Sequence, residues 1–163
     1  MGRRRVSHLS CVVQSDSLAD TADLGKRIGD ALQPGTLIGL VGTLGTGKTN
    51  LTQSIGRGIG IADGYVVSPT FTICVPHRGR LLLLHMDAYR IKQPEEVDEL
   101  GLDEQLEDGA VVIVEWSDLI EQYLRPLDLK IEITAPTEHT RELKFTSQSA
   151  KGDAIVGAVE GDA

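Results

Sequence analysis

Lys48 and Thr49 close the stretch Gly42-Thr43-Leu44-Gly45-Thr46-Gly47-Lys48-Thr49, a glycine, four residues, then Gly-Lys-Thr. Each residue type there has a task on a phosphate chain. The glycines let backbone N–H groups turn inward around the oxygens. Lys48 sets a positive charge on the β- and γ-phosphates, and the Thr49 hydroxyl can ligate Mg²⁺. A helix that follows adds its positive dipole end. Gly42, Leu44, Gly45, Thr46, Gly47, Lys48 and Thr49 are thus expected to bind phosphate.

Such a loop needs an acid near the metal, and in this class the acid sits at the end of a second apolar strand. Two residues qualify. Asp87 follows Leu81-Leu82-Leu83-Leu84 at a short remove, and Glu115 directly follows Val111-Val112-Ile113-Val114. Ligands of open α/β sheets gather at the carboxyl ends of strands. Both acids are therefore expected near the phosphates, and the sequence does not rank them. Ser68-Pro69-Thr70-Phe71 is a third element. It reads either as an ordinary Ser-Pro turn or as a segment whose Thr70 hydroxyl senses the terminal phosphate or its metal.

The positioning elements follow from periodicity. Leu37-Ile38-Gly39-Leu40-Val41 is a buried strand entering the loop, and Leu51, Ile55 and Ile59 recur at helical spacing after it. Ser17 with Asp20 three residues on predicts a capping box, with Leu24, Ile28 and Leu32 on one helix face. Residues 65–76 read as extended. The segments 81–84 and 111–114 are apolar enough for strands buried on both faces. Pro94 is placed as the first residue of a helix, with Glu95 and Glu96 in its first turn and Gly109 as its stop. A short helix is expected over 119–124. Residues 129–134 and 142–145 alternate as antiparallel strands do. From residue 146 small and polar types dominate, so residues 1–145 are expected to form a single domain and 146–163 a mobile tail. The expected fold class is α/β, a three-layer P-loop NTPase arrangement with a mostly parallel central sheet and antiparallel edge strands.

The bulk numbers narrow the partners. A net charge of −8 in 163 residues argues against broad binding to a nucleic-acid backbone. DNA is not an expected partner. No apolar run approaches the ~20 residues of a membrane span, so no membrane partner is expected either. Met1-Gly2-Arg3-Arg4-Arg5-Val6 lacks the apolar stretch of a signal peptide. Cys11 and Cys74 show neither metal spacing nor a disulfide framework, and a reducing, cytoplasmic setting is the expectation.

Taken together, the loop at 42–49, Ser68-Pro69-Thr70-Phe71, His85-Met86-Asp87-Ala88-Tyr89-Arg90 and Val114-Glu115-Trp116 resemble the TsaE family over roughly residues 17–145. The loop alone is generic. The His-x-Asp-x-Tyr-Arg and Glu-Trp elements, in this order in so short a chain, are specific. The resemblance implies a weak ATPase that uses ATP and Mg²⁺. It implies association with TsaD and TsaB, which install threonylcarbamoyl on adenosine 37 of tRNA, so that tRNA is reached through the partners. It implies that Lys48 holds phosphate, that Thr49 ligates Mg²⁺ directly, and that Glu115 holds it through water. Asp87 then orients the attacking water or the metal shell, and Thr70 belongs to a switch-like loop. Asn50 stands where the family often has Thr and can still donate to an α-phosphate. Arg141 stands where the family often has an arginine near the nucleotide; an exposed strand arginine is the alternative. Trp116 reads equally as a core residue or as packing beside the site, and His85 as a structural hydrogen-bonder.

Two other functions compete. A nucleotide or small-molecule kinase of this fold usually brings an arginine-bearing lid, whereas residues 93–108 are acidic and hold no arginine. A nucleotide-gated assembly factor would need ATP binding without required hydrolysis. A GTPase is disfavoured, since its Asn/Thr-Lys-x-Asp motif is missing and Asn50 is the single asparagine.

Overall fold

Seven strands form one sheet in the order β1-β7-β6-β2-β5-β4-β3 in the computed structural model, which describes residues 9–43, 45–62 and 73–161. They are β1 (Ser10–Ser15), β2 (Leu37–Val41), β3 (Cys74–Arg78), β4 (Leu82–Asp87), β5 (Val111–Glu115), β6 (Leu129–Thr134) and β7 (Arg141–Ser147). The central strands β6, β2, β5 and β4 run parallel, while β7, β1 and β3 add antiparallel edges. The helices are α1 (Leu18–Ala31), α2 (Lys48–Gly58), α3 (Glu95–Glu99), α4 (Leu102–Glu107) and α5 (Ala150–Glu160). Among the described residues no helix is long and apolar enough to cross a membrane.

Both faces of the sheet are covered, because alternate residues of the inner strands point to opposite sides. Ile38, Leu40, Leu83, Val111 and Ile113 pack with Leu24 and Ile28 of α1, Leu51 and Ile55 of α2, and Ile155 and Val156 of α5. Leu37, Leu84, Met86, Val112 and Val114 pack with Val97 of α3 and with Leu102 and Leu106 of α4. The residues of β2, β4 and β5 are therefore nearly all apolar, as strands covered twice must be.

Several expectations are corrected. Residues 146–161 are not a loose tail: β7 extends to Ser147, and Ser149 caps α5 by accepting from the Gly152 N–H. Ile155, Val156 and Val159 of that helix are buried. The helix expected from Pro94 to Gly109 is two short ones, split where Gly101 takes φ +62°. Pro94 caps the first of them instead of opening it. The helix expected over 119–124 is a pair of 3₁₀ turns, Ser117–Leu119 and Glu121–Tyr123. β6 pairs antiparallel with β7 as expected, but it also pairs parallel with β2 and so belongs to the parallel centre. Ser17 caps α1 as expected, but Asp20 returns its carboxylate to the Asp16 N–H, not to Ser17.

Candidate functional site

The carboxyl ends of β2, β4 and β5 and the start of α2 converge. β2 delivers the chain at Val41, the glycine loop turns it, and α2 begins at Lys48. Gly45 and Gly47 adopt φ +83° and +100°, and a Cβ built on either would meet nothing within 4 Å. Their glycine requirement is therefore conformational. Gly42 differs: a Cβ there would stand 2.7 Å from the Ile133 carbonyl oxygen and from Thr46 Oγ1. Thr46 tightens the turn, its hydroxyl donating to the Thr43 carbonyl at 2.9 Å.

Lys48 is only 5% exposed. Its ammonium donates to the carbonyls of Gly42 at 2.6 Å and Thr43 at 2.9 Å, and lies 4.1 Å from the ring centroid of Trp116. Burial pushes its pKa below the ordinary lysine value, while the carboxylates of Glu115, Asp87 and Asp118 pull it back up. The charge is thus held by backbone carbonyl acceptors of the loop itself.

Glu115 closes β5 and is 4% exposed, so its carboxylate requires partners. Thr49 supplies one: its hydroxyl lies 2.9 Å from Oε1 and 3.2 Å from Oε2. His85 Nε2 on β4 supplies the other, at Oε2. Asp87 is the register partner of Glu115 across the parallel β4–β5 pair. Burial raises the Asp87 carboxyl above its ordinary value, and Glu115 adds to the rise. The hydrogen bond from the Tyr89 N–H and the charges of Arg90 and His85 oppose it.

The structure therefore brings Lys48, Thr49, Asp87 and Glu115 to one place. Trp116 stands beside them while also packing against the core: it faces Lys48, and Tyr89 packs on it with ring centroids 5.4 Å apart. It holds φ +59°, the one positive value among the described non-glycine residues, a strain typical of functional positions. Leu44 and the segment with Thr70 lie outside the described residues.

Arg141 is near the loop but engaged. Its Nε donates to the Thr46 carbonyl at 2.9 Å, and its Nη1 reaches the carbonyls of Thr137, Glu138 and Thr140. It ties the β6–β7 turn to the loop. Next to it opens a cavity of about 660 Å³, lined by Thr46, Gly47 and Asn50 from the loop side. Leu18, Ile133 and Leu143 are among its apolar walls. Periodicity could not reveal this cavity, since its walls come from the start of α1 and from two strands far along the chain. Asp118, whose charge reaches Lys48, also carried no local signal.

The chain is similar to known proteins over most of its length. The family model described as "Threonylcarbamoyl adenosine biosynthesis protein TsaE" matches residues 15–143. The tRNA threonylcarbamoyladenosine biosynthesis protein TsaE of Bacillus subtilis (strain 168) is 40% identical over 129 residues, 78% of this chain and 80% of its own. The protein of the same name from Treponema pallidum (strain Nichols) is 33% identical over 135 residues, 83% of this chain and 98% of its own. The crystal structure of Bacillus subtilis YdiB superposes with a TM-score of 0.77 at 29% identity, covering 94% of this chain and 96% of the other.

Proposed function

Because the chain belongs to the TsaE family of threonylcarbamoyl adenosine biosynthesis proteins, we propose that it is a Mg²⁺-dependent ATP-binding protein and slow ATPase. In this reading it supports N6-threonylcarbamoyladenosine modification of tRNA by acting on TsaD and TsaB. The fold is then a three-layer P-loop NTPase. One observation carries the proposal: the Thr49 hydroxyl meets the buried Glu115 carboxylate beside the buried Lys48 ammonium.

That donor set fits the metal. Hydroxyl and carboxylate oxygens are the hard ligands Mg²⁺ takes, alongside water and substrate phosphates. Thr49 would bind it directly and Glu115 through water. When bound, Mg²⁺ neutralises charge on the β- and γ-oxygens.

The chain's own residues do the rest. Lys48 exchanges the Gly42 and Thr43 carbonyls for phosphate oxygens. The N–H groups at the start of α2 face the same anion. Asp87 orients the attacking water, and Thr70 senses the terminal phosphate. The cavity beyond Thr46 and Asn50 receives the nucleoside against Leu18, Ile133 and Leu143; its volume of about 660 Å³ is in the range of small-molecule sites. Asn50, which lines the cavity, would donate to the α-phosphate.

Hydrolysis is slow in this reading because the nearby Arg141 is tied to backbone carbonyls through Nε and Nη1. An arginine aimed at the transferred phosphoryl contributes ~10³–10⁵ in rate where present. TsaD–TsaB docking would complete the site.

Phosphate release from ATP, with and without TsaD and TsaB, tests the reading. Stimulation by the partners, lost in Lys48→Ala, is the expected result. Equal rates with and without partners, or undiminished turnover in Lys48→Ala, would overturn it. Transfer of phosphate to a small acceptor would make the protein a kinase.

A further inference from the structure

His85 is fully buried, at 0% exposure, on β4 between β5 and the edge strand β3. A core strand position ordinarily takes an aliphatic residue, as its neighbours Leu83, Leu84 and Met86 do. Its ring meets Glu115 across the β4–β5 pair through Nε2. A carboxylate only accepts, so Nε2 is the donor. The other ring nitrogen, Nδ1, is buried with no hydrogen-bond partner among the described residues. Glu115 is thus the one hydrogen-bond partner of the imidazole among the described residues.

Glu115 in turn is held from two sides. Oε2 faces His85, and Oε1 takes the shorter bond from Thr49, at 2.9 Å. A glutamate side chain has several rotatable bonds and loses entropy when ordered. Fixing one of its oxygens decides which lone pairs the other presents to the loop.

We propose that His85 is a positioning residue for the metal site. It pins Oε2 of Glu115, so that Oε1 faces Thr49 and the Mg²⁺ shell. The proposal rests on the Mg²⁺·ATP reading above. Groups that hydrogen-bond a metal's carboxylate fix its orientation, and their loss typically costs 10–100-fold in metal affinity.

The test measures how strongly Mg²⁺ tightens nucleotide binding, without any turnover. The Kd of a non-hydrolysable ATP analogue is determined in excess Mg²⁺ and in EDTA. The ratio of the two is the metal's contribution. In His85→Leu, which keeps bulk and removes the donor, the ratio is expected to fall by about 10-fold or more, with the EDTA value unchanged. His85→Gln, whose amide nitrogen reaches about as far as Nε2, should restore most of it. Should the leucine variant not fold, His85→Asn, polar but too short, replaces it with the same expectation.

An unchanged ratio in the donor-deleted variant overturns the proposal. So does an equal loss of affinity with and without Mg²⁺, which would make His85 a packing residue. A ratio near one in the unsubstituted protein would instead overturn the Mg²⁺·ATP reading itself.

Discussion

At the residue scale the site contains groups that burden the fold. Asp87 has a carboxyl raised by burial first and by Glu115 second. Its folded-state pKa therefore lies above the unfolded one, so the fold binds that proton more tightly than the unfolded chain does. Stability from this group is fully present in acid and is lost as pH rises through the folded-state value. Asp87→Asn keeps an oxygen for the Tyr89 N–H and removes the charge. At neutral pH its Tm should equal or exceed that of the unsubstituted protein, and the difference should shrink as the pH is lowered and Asp87 protonates. Hydrolysis should drop by about 10² or more if Asp87 handles the attacking water. A neutral-pH Tm clearly below the parent would contradict this account of its environment. Lys48 is shifted the other way, downward by burial. Its folded-state pKa lies below the unfolded one, so the unfolded chain binds that proton more tightly, and its burden on stability eases as pH climbs past the folded-state value. Stability yields to chemistry at both positions.

At the element scale α1 and α2 touch through their backbones. A Cβ on Gly29 would stand 2.6 Å from the Ile55 carbonyl oxygen and 2.7 Å from Gly58 Cα. Backbone atoms cannot swing aside, so the helices would have to part. Gly29→Ala should therefore destabilise by about 1–3 kcal/mol, exceeding the ~1 kcal/mol that alanine gains in helix propensity. Because α2 carries Lys48 and Thr49, nucleotide affinity should weaken as well. Chemical denaturation and a binding titration read the two effects, and a stabilised variant would refute the close-approach argument. The same pair shows what the sequence makes legible. That Lys48, Thr49, Asp87 and Glu115 would gather was readable, because the glycine loop and the carboxyl ends of neighbouring parallel strands open on the same side of such a sheet. The helices α1 and α2 were readable from Leu24, Ile28, Leu51 and Ile55. The parallel pairing of β6 with β2 was not legible, because alternation reports which residues face a core and not the direction of either neighbour. The turns at 117–123 carry a helix-like apolar pattern, yet the strained Trp116 and the nearby Pro126 leave room only for 3₁₀ geometry. Arg141 could be placed near the loop, but its use on carbonyls depends on the shape of the 137–140 turn, which no spacing encodes.

At the scale of the whole molecule the C-terminal segment decides how far the core extends. Small residues gave residues 150–160 the look of a tail: Ala150, Gly152, Ala154, Gly157 and Ala158 hide a face made of Ile155, Val156 and Val159. That face covers the same side of the sheet as α1, over Phe145 and Leu143 of β7. Its smallness is a packing requirement, since a Cβ on Gly152 would run into the Asp128 carbonyl. Asp128 also links this end of the chain to the start of the strand that leads into the loop. One carboxylate oxygen accepts from the Leu37 N–H at the start of β2, at 2.8 Å, and the other from the cap residue Ser149, at 2.7 Å. A chain ending at Gln148 should thus lose far more than a disordered tail would. Each buried aliphatic side chain contributes about 1.5–3 kcal/mol, and whole domains hold only about 5–15 kcal/mol. Three such side chains leave, and Phe145 becomes exposed. The expected outcome is a broadened or absent thermal transition, with weakened ATP binding. High ATP concentrations should recover part of the stability by mass action, because the phosphate loop itself is intact. A truncated protein that melts at the full-length temperature would return residues 149–163 to the status of a tail and remove α5 from the account of this core.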